Sequence, residues 1–175
     1  MRFSALLILL LVVDIGNAGT PQPDGDFKLY LVRHAEKQAD AGKDPGLTNA
    51  GMFRAHQLVK LFQYRDIENI WSTDYKRTRD TVIPLVTTLK SKMKLYDPQD
   101  LPAFANRLLE DGMNALIAGH SNTTPDLTRL LCECDISDMD DSEYDLLFVV
   151  SVSGDETNVE ILKQSSLWER WVRAQ

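Results

Sequence analysis

Arg33-His34-Ala35-Glu36-Lys37, Ser72-Thr73-Asp74-Tyr75-Lys76-Arg77-Thr78-Arg79 and Gly119-His120-Ser121-Asn122-Thr123 are three polar segments, each directly behind a short apolar run. Together they hold two histidines and several arginines. A guanidinium offers a planar fork of donors to phosphate oxygens, and an imidazole can serve as nucleophile or as acid and base near neutral pH. Brought to one place, Arg33, His34, Arg77 and His120 suit a phosphoryl group. A neutral His34 would attack phosphorus, dividing one slow hydrolysis into two easier steps. Arg33, Arg77 and a protonated His120 would offset the charge spread over the equatorial oxygens. Arg77, in the first turn of a helix, would add the field of its backbone N–H groups. His56, in Ala55-His56-Gln57, falls mid-helix and reads as a surface residue; Lys37, Lys76 and Arg79 read as charges flanking the site.

Elements that would position these groups follow from the apolar pattern. Phe27 to Val32, Ile67 to Trp71, Met93 to Tyr96 and Ala115 to Ala118 read as strands. Helices are expected behind Thr48 as N-cap, with Met52, Ala55, Leu58, Val59 and Phe62 on one face, and over Lys76 to Leu89, bent near Pro84. Two more are expected over Leu101 to Glu110, ended by Asp111-Gly112, and from Pro125 to Leu131. Leu146 to Val152 and Asn158 to Leu162 read as a terminal hairpin around Ser153-Gly154-Asp155, and Trp168 to Gln175 as a short amphipathic stretch. Strands alternating with helices predict an α/β fold, a three-layer α/β/α sandwich with a mostly parallel central sheet. In such sheets ligands bind at the carboxyl ends of the strands, which is where His34 and His120 fall. Gln38 to Gly46 and Tyr96 to Phe104 are the loops expected to set specificity. Ser137 to Glu143 is acidic, lacks the glycine of a calcium loop, and reads as a solvated loop.

The chain has 175 residues and a net charge of −7, enough for one domain and the wrong sign for a nucleic-acid surface. An anionic substrate must therefore be drawn by a local positive pocket rather than by the field of the whole molecule. Met1-Arg2, the apolar run Phe3 to Val13 and the small residues of Gly16-Asn17-Ala18 read as a secretory signal peptide over 1–18, followed by a flexible leader over 19–26 and one domain over 27–175. The apolar run is short for a bilayer, so no stable membrane span is expected after processing, and the protein is expected to be secreted or periplasmic. Cys132 and Cys134, two apart, read as structural thiols near a helix end.

Arg33-His34-Ala35-Glu36, Leu47-Thr48 with Gly51 and Arg54-Ala55, Ser72-Thr73 with Arg77-Thr78 and Thr81, and Gly119-His120-Ser121-Asn122-Thr123 together resemble the histidine phosphatase superfamily, in its phosphoglycerate-mutase-like branch. The resemblance runs over nearly all of the mature chain, in the family's order. It implies the histidine-phosphatase fold, transient phosphorylation of His34, and Arg33, Arg77 and His120 completing the phosphate pocket, with no metal and no organic cofactor. Ala35 stands where the common motif has Gly. Relatives often carry a glutamate proton donor in a longer insertion. Here that region is the compact Tyr96-Asp97-Pro98-Gln99-Asp100, which leaves Asp97, Asp100 and Glu36 as candidates. Members acting on phosphohistidine lack a dedicated acid, because a P–N leaving group needs less help. Asn122 would add a hydrogen bond near the pocket or form a turn; it also begins a glycosylation sequon whose place in the pocket disfavours modification. The expected activity is an exported phosphatase for phosphomonoesters, acting on a small-molecule phosphate ester or a phosphorylated envelope component. A protein phosphohistidine phosphatase and a non-catalytic phosphate-binding module are the alternatives.

Overall fold

The computed structural model describes residues 25–39 and 42–174. The expected signal peptide and most of the leader lie outside the described residues. Among the described residues six strands and five helices follow one another, alternating as far as β5: β1 (Phe27–Arg33), α1 (Asn49–Phe62), β2 (Asn69–Ser72), α2 (Lys76–Leu89), β3 (Met93–Leu95), α3 (Leu101–Asp111), β4 (Ala115–Gly119), α4 (Thr123–Cys132), β5 (Leu146–Ser153), β6 (Glu156–Lys163) and α5 (Gln164–Arg173). The strands form one sheet in the order β3-β2-β4-β1-β5-β6. β3, β2, β4 and β1 are mutually parallel, while β5 runs antiparallel to β1 and β6 antiparallel to β5.

Alternation along β1 builds a core on each face of the sheet. Leu29 and Leu31 join α3 and α4 through Leu101, Phe104, Leu108 and Leu127. Tyr30 and Val32 join α1 and α2 through Leu58, Phe62, Val82 and Leu85. The sandwich therefore has three layers, and β4 and the Leu29 to Val32 stretch of β1, covered on both sides, read as apolar runs for that reason. Each fully buried leucine here contributes about 1.5–3 kcal/mol.

Two local features bear on the site. Thr48 caps α1, its hydroxyl accepting from Gly51 N at 3.1 Å. Gly51 lies so close to the segment after β1 that an added Cβ would stand 2.3 Å from the Glu36 carbonyl oxygen. Only glycine lets α1 approach there.

Several boundaries differ from expectation. β2 begins two residues later, and α4 begins at Thr123, two residues before Pro125. α2 is continuous through Pro84. The last helix starts at Gln164 and docks on α1, with the Phe53 and Trp168 rings 6.4 Å apart. Cys132 and Cys134 are not thiols but a disulfide. Glu133, between them, takes a left-handed conformation (φ 50°) at the end of α4, which folds the chain back and brings their Cα atoms to 5.1 Å.

Candidate active site

Parallel pairing of β1 with β4 sets Arg33 opposite Gly119, so the residues that follow, His34 and His120, leave the same edge of the sheet. Their rings are 5.6 Å apart. Arg77, the second residue of α2, arrives behind β2 at that edge. All four residues line one cavity of about 350 Å³. A larger cavity, about 510 Å³, lies beside Asp26, Lys28 and Arg65, but no histidine or cysteine lines it.

His34 is buried, 3% exposed. Its Nδ1 lies 2.8 Å from the Ala35 carbonyl oxygen. A carbonyl can only accept, so Nδ1 carries the proton and Nε2 keeps its lone pair. Burial lowers the His34 pKa to about 3; the hydrogen bond to the Ala35 carbonyl pulls the other way, and the lesser Arg33 and Arg77 charges add to the lowering. The ring is neutral at pH 7. The turn holding it is fixed by Ala35 N donating to Thr81 Oγ1 at 2.9 Å.

Arg33 is likewise 3% exposed. Its Nη1 donates to the backbone carbonyls of Asp140, Asp141 and Glu143 at 3.2, 2.7 and 3.0 Å. The Tyr144 ring lies 4.2 Å from its Cζ, a cation–π contact. Arg77 sits 4.6 Å from the Tyr75 ring, and its Nη2 donates to His120 Nδ1 at 3.3 Å. The Nε–H groups of Arg33 and Arg77 have no partner among the described residues.

Because Arg77 can only donate, His120 Nδ1 must accept, and Nε2 carries the proton toward Thr73 Oγ1 at 3.0 Å. Burial, then the Arg77, Arg33 and Lys37 charges, lower the His120 pKa to about 4. The expected cationic His120 is therefore neutral here, since the cations that would share its pocket oppose its protonation. A phosphate dianion between the arginines would reverse that field and favour the imidazolium.

The three sequence candidates for a proton donor have other partners. Glu36 is pushed up by burial, but hydrogen bonds and charge from Arg54 outweigh this and hold it below the usual carboxylate range. Arg54 pairs with it at 2.8 Å and with Asp145 at 3.0 Å. Asp97 accepts from Gln99 N in a turn, and Asp100 caps α3 by accepting from Ala103 N. None of the three lines the cavity. Lys37 and Asn122 do, and Asn122 precedes α4 with no side-chain capping bond. Arg79 is paired with Asp74, and His56 is exposed on α1.

Asp141 is the carboxylate among the cavity-lining residues. It belongs to the acidic loop read from sequence as solvated. β5 runs antiparallel to β1, with Leu147 opposite Val32, so the chain entering β5 lies at the same edge as His34. The hairpin pattern was the signal; strand direction was what it needed.

Residues 29–98 match the histidine phosphatase superfamily (branch 1). The fold is similar to that of solved phosphatase structures of low identity. The protein histidine phosphatase SixA, in complex with tungstate, has a TM-score of 0.66 at 18% identity, with 80% of this chain and 99% of that chain covered. The alpha-ribazole phosphatase of Shigella flexneri gives 0.64 at 14% identity, covering 78% and 96%. A mycobacterial glucosyl-3-phosphoglycerate phosphatase gives 0.61 at 12% identity, covering 79% and 99%. No curated protein matches this chain in sequence.

Proposed function

We propose that this protein is an exported, metal-independent phosphatase that hydrolyses phosphomonoesters through a phosphohistidine on His34. The observation that carries the reading is the fixed tautomer of His34: a neutral ring with Nδ1–H tied to Ala35, lining a cavity that also holds two guanidiniums and a second imidazole. Such a ring has its Nε2 lone pair available without first losing a proton. The phosphoryl group would lie among Arg33, Arg77 and His120. Charge compensation by fixed guanidiniums takes the place that a metal ion fills in other phosphoryl-transfer sites. The phosphatase neighbours in fold, one of them complexed with the oxyanion tungstate, support the same chemistry.

Export is supported by the apolar N-terminal run with its small-residue cleavage site, and by the Cys132–Cys134 disulfide, which suits an oxidising compartment. Secretion or delivery to a periplasm follows from this reading.

The decisive experiment is hydrolysis of p-nitrophenyl phosphate by the mature chain in EDTA, beside His34→Ala, with base-stable phosphoprotein trapped during turnover. Turnover and trapped phosphate in the parent only are expected. Equal activity in the two proteins would remove His34 from the chemistry. Saturable phosphate binding without turnover would instead mark a binding module. A second reading, dephosphorylation of phosphohistidine in proteins, is favoured by one observation: Glu36, Asp97 and Asp100 all have other partners, and a P–N bond asks less of an acid.

A further inference from the structure

We infer that Asp141 is the proton donor of this site, and that the substrate is an alkyl phosphomonoester whose alcohol cannot leave without one. The inference rests on the phosphatase reading above.

Depth within the cavity gives the first argument. His34 is 3% exposed while the Asp141 side chain is 90% exposed, and both line the same cavity. In-line displacement places the leaving oxygen opposite the attacking nitrogen. With the nucleophile at the floor, the leaving oxygen faces the mouth, where Asp141 stands.

The residue is also held in register with the phosphate cradle. Its backbone carbonyl accepts from Arg33 Nη1 at 2.7 Å. Its Oδ1 accepts from Ser121 Oγ at 2.7 Å and lies 3.6 Å from Arg33 Nη2. Ser121 and Arg33 both address Oδ1, leaving Oδ2 without a hydrogen bond among the described residues. One oxygen is thus fixed and the other open to a substrate. Ser121 follows His120 directly, so the same anchor ties the acid to the second imidazole.

The cycle balances. In the first step the His34 Nε2 lone pair forms an N–P bond as the P–O bond to the alcohol breaks. The departing oxygen takes that electron pair and the proton of the Asp141 carboxylic acid. In the second step a water oxygen attacks phosphorus and gives its proton to the Asp141 carboxylate. The N–P bond breaks and its pair returns to Nε2, restoring both groups as inorganic phosphate leaves.

Asp141→Asn tests this, because the amide keeps an acceptor for Ser121 and the backbone carbonyl for Arg33 but cannot donate a carboxylic proton. The readout is kcat/KM for glycerol phosphate and for p-nitrophenyl phosphate, whose leaving group needs little protonation. Loss of a general acid costs about 10²–10⁴-fold for the alkyl ester. The aryl ester is expected to fall by about tenfold at most, and the requirement for a protonated group in the alkyl pH profile should vanish. Equal falls on both substrates would show Asp141 only positions Arg33 and would overturn the inference, as would no fall on either. A parent protein that turns over the aryl ester or a phosphohistidine peptide but not the alkyl ester also overturns it, leaving the phosphatase reading intact. A parent silent on every phosphate overturns that reading itself.

Discussion

Neutral histidines buried among guanidiniums make this fold sensitive to acid in a way that can be traced to one residue. His34 has an ordinary value of about 6.5 in the unfolded chain and about 3 in the fold. Its folded value is the lower, so below about pH 6.5 the unfolded state takes a proton that the fold refuses. Stability is then complete above about pH 7 and falls as pH drops toward the folded value. At about pH 5 the unfolded imidazole is about 97% protonated and the folded one about 99% neutral, a difference of about 2 kcal/mol from this residue alone. His120, with a folded value of about 4, pushes in the same direction over a slightly narrower window; it is more exposed, and its share is correspondingly smaller. Urea unfolding of the parent and of His34→Asn, at about pH 8 and pH 5, isolates the effect, since other titrating groups largely cancel in the double difference. The parent should lose about 2 kcal/mol more than the variant across that interval. Saturating phosphate should shrink the gap, because a bound dianion opposes the field of Arg33 and Arg77. Equal losses in the two proteins would refute the claim that the fold holds His34 neutral.

Arg77→Ala should lower kcat/KM by about 10²-fold or more, raising KM as well as reducing kcat, because in the proposed reaction its guanidinium would contact both the ground-state phosphate and the transition state; steady-state kinetics on p-nitrophenyl phosphate reads both. Arg54→Ala strips the counter-charge from Glu36 and Asp145 together, and a loss of about 2 kcal/mol in unfolding free energy is expected from leaving two half-buried carboxylates unpaired. Gly51→Ala drives a methyl group toward the Glu36 carbonyl, so about 1–3 kcal/mol of overpacking cost should appear as a lowered Tm, accompanied by reduced turnover.

The sequence made the site's floor readable because each chemical residue sits directly behind an apolar strand or in the first turn of a helix. His34, Arg33, Arg77 and His120 needed only the rule that parallel strands end on one edge. The charge on His120 was not readable: it depends on how closely Arg33, Arg77 and Lys37 approach, which is a three-dimensional fact. Asp141 was hidden for a different reason. Local composition made its loop look solvated, and only the antiparallel entry of β5 carries that loop to the edge. The disulfide escaped because a separation of two residues rarely suits the bond, and the left-handed turn at Glu133 that accompanies it here is a conformation few non-glycine residues adopt.

Three peptide oxygens, of residues 140, 141 and 143, clasp Arg33 Nη1, while the Asp141 carboxylate lies 3.6 Å from Nη2. Peptide oxygens are common to every amino acid, so the clasp does not depend on which residues occupy 140, 141 and 143, provided the loop keeps its path. Structural duty and chemical identity are thereby separated within four positions. Side chains at 140 and 143 can therefore change while the backbone clasp beneath stays in place, whereas Asp141 carries the proton in the cycle inferred above. A small library at 140 and 143, with Asp141 kept, would explore the mouth of the cavity from a fold that remains intact.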